Sequence, residues 1–173
     1  MATLFTMIGY PGSGKSHFAR ELANETGAKW LNNDRVRSSL FDDPMDPANL
    51  HNYPVIYDAM DDATRQALAA GHDVVYDANV NHRAERMKNA ELAKVAGARA
   101  VTVWVQTPVE KAVERVGSRG ATAEQFRLSE ESVLKHIARL EEPAADEACI
   151  IIDGTASWEE QLATFRTQFE QLR

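Results

Sequence analysis

Eight consecutive residues near the amino end, Gly9-Tyr10-Pro11-Gly12-Ser13-Gly14-Lys15-Ser16, place glycines, a lysine and a serine at the spacing of a phosphate-binding loop. A β-rich apolar run, Leu4 to Ile8, precedes them, and a helical pattern begins near Lys15, which is the context the motif requires. With no Cβ at Gly9, Gly12 and Gly14, the chain can turn tightly around Pro11 and Ser13. Successive N–H groups then point at phosphate oxygens from a helix amino end. Lys15 is placed to neutralise β- and γ-phosphates, and the Ser16 hydroxyl to ligate Mg²⁺.

Phosphoryl transfer to an alcohol also needs a group that positions and deprotonates the acceptor. Asp34, just past the second apolar run, is a candidate general base; its alternative role is to cap the helix that starts at Arg35. Arg37 is three residues further on and suits an acceptor or its phosphate, with a solvated arginine as the alternative there and at Arg35. Asp77 ends an apolar strand and is a candidate for Mg²⁺, directly or through water, or for an Asx turn. Ala78 follows it, so the acidic pair of water-activating motor ATPases is missing. Arg115 and Arg119 flank Gly117, with Gly120 beyond, and read either as cations that swing over a triphosphate or as a solvated basic loop. Arg83, Arg86 and Lys88 are candidates for holding an anionic acceptor, or for a solvated helix face. The five histidines have no ligand spacing with Cys149 or one another, so no zinc site is expected, and Trp30, Trp104 and Trp158 read as core.

Short apolar runs alternate with helical patterns along the chain, the sequence form of repeated βα units. Strands are expected at 3–8, 28–31, 74–76, 98–105 and 149–152. Helices are expected at 15–26, 35–41, 55–70, 83–96, 109–116 and 129–140, with a last one capped by Ser157. Residues 42–54 read as a loop, Thr107-Pro108 as an N-cap with proline at the first helical position, and residues 117–127 as a mobile flap. The pattern implies an α/β three-layer sandwich around a five-stranded parallel sheet, in one domain spanning 1–173. Gly9, Asp34, Asp77 and Asp153 then fall at strand carboxyl ends, where such sheets collect ligands.

The composition narrows the partners. A net charge of −7 argues against general affinity for duplex nucleic acid, which needs clustered cations. Nothing in the sequence is apolar over a length that spans a bilayer, no secretory leader is evident, and the single Cys149 has no disulfide partner in the chain, so a reducing, cytoplasmic setting is expected. No obligate protein partner is evident.

Taken together, Ile8 to Ser16, Asn33-Asp34-Arg35-Val36-Arg37, Tyr76-Asp77-Ala78-Asn79-Val80-Asn81 and Arg115 to Gly120 resemble the P-loop kinases of the polynucleotide kinase and zeta-toxin type. The resemblance implies a P-loop NTPase fold similar to nucleoside monophosphate kinases, with a short lid at about 117–127. It implies ATP and Mg²⁺ at Lys15 and Ser16, Asp34 as general base, Arg37 and Asp77 on the acceptor side, and Arg119 as the lid arginine. Asp153-Gly154-Thr155 is similar to the turn that borders adenine in nucleotide kinases, which brings Gly154 into the nucleotide site. Arg35 and Val36 depart from the family pattern, which has a second acidic residue and an aromatic there. The implied activity is ATP-dependent phosphorylation of a hydroxyl, on a nucleic-acid 5′ end or nucleotide. A small metabolite, sugar-nucleotide or antibiotic acceptor is the alternative, and from another class, a non-catalytic ATP-binding switch. No guanine-reading Asn-Lys-x-Asp sequence follows the later strands.

Overall fold

Five strands, β1 (Thr3–Ile8), β2 (Lys29–Asn32), β3 (Val74–Asp77), β4 (Arg99–Gln106) and β5 (Cys149–Asp153), form one parallel sheet in the order β2-β3-β1-β4-β5. The computed structural model describes residues 1–118 and 130–172. Every residue of β1 is buried, as suits a mainly apolar strand at the sheet centre, where both faces are covered. The phosphate-loop sequence thus leaves a fully buried strand.

One face of the sheet carries α1 (Lys15–Thr26) and α8 (Trp158–Gln171), whose Phe18, Leu22 and Phe165 pack on Phe5, Val75, Val103 and Ile152. The other carries α4 (Tyr53–Ala69) and α5 (Arg83–Val95), whose Ile56, Met60, Leu68 and Leu92 pack on Leu4, Ile8, Val74 and Tyr76. This is the expected three-layer sandwich. The shorter helices α2 (Asn33–Leu40), α3 (Pro47–Leu50), α6 (Val109–Ser118) and α7 (Glu130–Ala138) complete it.

Two local expectations are corrected. Residues 42–54 are not all loop, because Asp46 accepts from the Ala48 N–H and starts the short α3, and Tyr53 already belongs to α4. Pro108, not Thr107, stands at the start of α6: its carbonyl accepts the Ala112 N–H, while the Thr107 hydroxyl donates to the Ser13 carbonyl at 2.8 Å. Thr107 is spent on the phosphate loop. Gly117 and Ser118 are the last residues of α6, and the rest of the proposed flap, with Arg119, Gly120 and Arg127, lies outside the described residues.

The outer edge of β5 is closed by its own following helix. The Gln168 side chain accepts from the Ile151 N–H at 2.9 Å and donates to the Ile151 carbonyl at 3.0 Å, while Gln161 donates to the Asp153 carbonyl at 2.8 Å. Edge groups that would otherwise recruit another strand are thereby satisfied.

The segment before β5 is tied to α5 by Arg86, whose side chain is 1% exposed and which donates to both Glu147 carboxylate oxygens, at 2.6 and 3.0 Å. It also donates to the Asn81 carbonyl at 2.8 Å. The Arg86 hydrogen bonds hold the Glu147 carboxyl below its ordinary value. Arg86→Met therefore leaves a largely buried carboxylate without its partner and should cost about 3–5 kcal/mol in urea unfolding at neutral pH. A group with a depressed folded-state pKa stabilises above its unfolded value and loses that as pH falls, so the gap between wild type and variant should narrow in acid.

Candidate phosphoryl-transfer site

The register aligns the carboxyl ends of the strands: Asn32 of β2 lies opposite Asp77 of β3, and Gln106 of β4 opposite Asp153 of β5. Gly9 follows β1 on the same rim. The loop it opens is closed by a hydrogen bond from the Ser13 N–H to the Tyr10 carbonyl at 3.0 Å, with Pro11 inside the turn. Gly12 has φ +86°, and a Cβ there would collide with the backbone of Ala112 on α6. Gly154 is equally confined: a Cβ would run into the Ser13 carbonyl and the Thr107 hydroxyl. The loop is wedged between α6 and the turn after β5, so its backbone has little room to collapse. Asn81 holds its first residue, accepting from the Gly9 N–H at 3.0 Å.

Gly14, at φ +94°, precedes α1 and supplies no side-chain cap, leaving the positive end of the helix dipole for an anion. Lys15 forms an ion pair with Asp77, and the Ser16 hydroxyl donates to the same Oδ1 at 3.2 Å. The other oxygen of Asp77 accepts from Asn32 Nδ2 at 2.8 Å and Trp30 Nε1 at 3.4 Å. Asp77 is 0% exposed, and a carboxylate so placed is tolerable only with this set of donors. All four are side chains, so Asp77 is not an Asx-turn residue.

Asp34 does not cap its helix. Asn32 does, accepting from the Asp34 and Arg35 N–H groups, each at 3.1 Å. This frees the Asp34 carboxylate, which pairs with Arg37. Burial pushes the Asp34 carboxyl above its ordinary value, while Arg37 and then Lys15 pull it back. Arg37 is buried, and its Nε has no hydrogen-bond partner among the described residues. Arg35 is exposed and lies over the Trp30 ring, 5.0 Å from its centroid.

Arg115 is not part of a solvated loop. It lies on α6 and donates to the Gly154 carbonyl at 2.9 Å and the Gly12 carbonyl at 3.3 Å, clasping the loop to the turn after β5. Beside it a cleft of about 300 Å³ is lined by Gly14, His17, Arg115, Gly154, Trp158 and Gln161. Trp158 thus serves both the core, against Phe18, and this cleft.

Of the cations expected at the acceptor, Arg86 is buried against Glu147, while the more exposed Arg83 pairs with Asp146 at 2.6 Å and Lys88 with the buried Asp61 at 2.7 Å. Each answers a carboxylate of a neighbouring segment. Sequence reasoning also missed Asn32, Asn81, Thr107 and Trp30, all of which hold the site together; only Asn32, a good capping residue at a strand-to-helix junction, carried a local signal.

The residues present fit a nucleotide with Mg²⁺. Ser16 and Asp77 are two oxygen donors side by side, and Mg²⁺ is commonly held by one or two protein oxygens together with substrate phosphates. Among the described residues no three acidic, histidine or cysteine side chains form a cage for a metal by themselves. No helix among them is long and apolar enough to cross a membrane.

Several solved structures share this architecture. A gluconokinase from Sinorhizobium meliloti 1021 matches with TM-score 0.71 at 18% identity, covering 99% of this chain and 93% of that one. Kti12 of Chaetomium thermophilum, in complex with ADP-AlF3, matches with TM-score 0.73 at 22% identity, covering 98% and 96%. A chain of the Pnkp1/Rnl/Hen1 RNA repair complex matches with TM-score 0.65 at 25% identity, covering 80% of this chain and 44% of that one. No curated protein matches the sequence. The fold is that of the P-loop NTPase kinases, and the family model described as an AAA domain matches residues 4–143, so the chain belongs to that family, AAA_33.

Proposed function

We propose that the protein is an ATP- and Mg²⁺-dependent kinase that transfers the γ-phosphoryl group to a hydroxyl. The observation that carries this reading is the Asp34 carboxylate, freed from capping and paired with Arg37, on the same rim as the phosphate loop. Family membership and the kinases among the structural neighbours support it.

In this reading Gly9, Gly12, Ser13 and Gly14 present the loop backbone to the phosphates, with Pro11 setting the turn, and Gly154 and Arg115 border the base. Lys15 leaves Asp77 for the β- and γ-phosphates; Ser16 and Asp77 would hold Mg²⁺, which would supply positive charge against the phosphates. Asp34 accepts the acceptor's hydroxyl proton as the oxygen–phosphorus bond forms and the bond to the β,γ-bridging oxygen breaks, releasing ADP. Arg37 keeps Asp34 oriented beside the acceptor, and Arg119 would be the lid arginine on the donor phosphates.

The acceptor has two readings. A nucleic-acid 5′-hydroxyl or nucleotide is supported by the motif resemblance and by the RNA repair neighbour. A small metabolite, sugar nucleotide or antibiotic is supported by the burial of Arg86 against Glu147 and by the net charge of −7.

Incubation with γ-labelled ATP and a panel of 5′-hydroxyl oligonucleotides, nucleosides, sugars and aminoglycosides should label one acceptor class. Tight ATP binding with no acceptor labelled would point to a switch instead. If the acceptor is an oligonucleotide its binding should weaken steeply with salt, and a flat response identifies an uncharged alcohol. Asp34→Asn should lower turnover by about 10² or more with ATP affinity retained, and an unchanged rate would remove Asp34 as base. Because a protonated Asp34 cannot accept a proton, kcat/KM for the acceptor should fall in acid through a pKa above the usual aspartate value of 3.8. A limb at or below that value would contradict the assignment.

A further inference from the structure

Asn32 ends β2 and caps α2, and it is 8% exposed. Its Oδ1 accepts the Asp34 and Arg35 N–H groups, while its Nδ2 donates to Asp77 Oδ2 at 2.8 Å. The partners fix the amide's orientation, since the flipped form would set an oxygen against a carboxylate and an N–H group against two N–H groups. Capping alone does not call for an amide. Serine or aspartate caps a helix as well, but aspartate has no donor for Asp77, and a serine hydroxyl is shorter and carries a single proton.

The two ends of this amide serve the two halves of the site. One end holds the helix that carries Asp34 and Arg37; the other holds the carboxylate whose Oδ1 faces Lys15 and Ser16. When Lys15 moves to a phosphate, Asp77 loses its only charged donor among the described residues. Of the two contacts that then restrain Oδ2, the one from Asn32 is the shorter, 2.8 Å against 3.4 Å from Trp30.

We propose that Asn32 is a positioning residue that keeps Asp77 Oδ1 turned toward Ser16 and Mg²⁺, in register with the helix bearing Asp34. The proposal rests on the nucleotide-binding part of the reading above and needs no acceptor. Loss of such an outer partner typically lowers metal affinity by about 10- to 100-fold.

The test is binding of a non-hydrolysable ATP analogue to Asn32→Ser by calorimetry, with and without Mg²⁺, alongside thermal unfolding. The expected result is a lower unfolding temperature, since a buried carboxylate loses a donor, with metal-free affinity near wild type and the Mg²⁺-dependent gain in affinity reduced about 10- to 100-fold. A gain equal to that of wild type overturns the proposal. So does a parallel fall in unfolding temperature and in both affinities, which marks a purely structural cap, or a wild-type affinity indifferent to Mg²⁺. If wild-type protein shows the gain yet phosphorylates no alcohol, the kinase reading fails while the role of Asn32 stands.

Discussion

A carboxylate sealed from water is the constraint around which the site is built. Asp77 is 0% exposed, and the folded chain tolerates its charge because Lys15, Ser16, Asn32 and Trp30 all donate to it. Lys15 and Ser16 open α1 behind the phosphate loop, and Trp30 and Asn32 belong to β2, so satisfying one buried charge at the end of β3 fixes the relative position of three elements. The parallel register that sets Asn32 opposite Asp77 makes the arrangement possible. Lys15 is the one member of the set with a competing use, since a triphosphate offers it more negative charge than Asp77 does. Without nucleotide the pair keeps both charges compensated.

A second layer of contacts keeps the phosphate loop open. Thr107 donates to the Ser13 carbonyl, Arg115 to the Gly12 and Gly154 carbonyls, and Asn81 accepts the Gly9 N–H. Each comes from a different strand end or helix, so the loop is braced from several sides before any ligand arrives. Such pre-organisation lowers the ordering cost of binding phosphate.

Much of this was legible in the sequence, and the reasons for the rest are physical. The glycine spacing, the alternation of apolar runs with amphipathic helices and the mainly apolar β1 are local signals, and they led directly to the parallel sheet and the loop. Asp34 and Asp77 stood out because strand ends carry ligands in such folds. What stayed hidden depends on pairings distant in sequence. Arg86 looks like a surface arginine until β5 brings Glu147 against it, and Lys88 until α4 brings Asp61. Thr107 reads as a cap by its neighbours alone, yet its partner Ser13 is 94 residues away. Asp34 and Asn32 compete for the same capping role in sequence, and only the pairing of β2 with β3 decides between them, by turning one end of the Asn32 amide to Asp77.

In the proposed reading, Lys15 exchanges Asp77 for a nucleotide's phosphates while Asp77 stays held from behind. A crystal structure with a non-hydrolysable ATP analogue and Mg²⁺ should then show phosphates in the loop between Gly9 and Ser16, Lys15 Nζ on their oxygens, and Asn32 Nδ2 still on Asp77. A nucleotide bound elsewhere, or a filled loop with the Lys15–Asp77 pair intact, would contradict it.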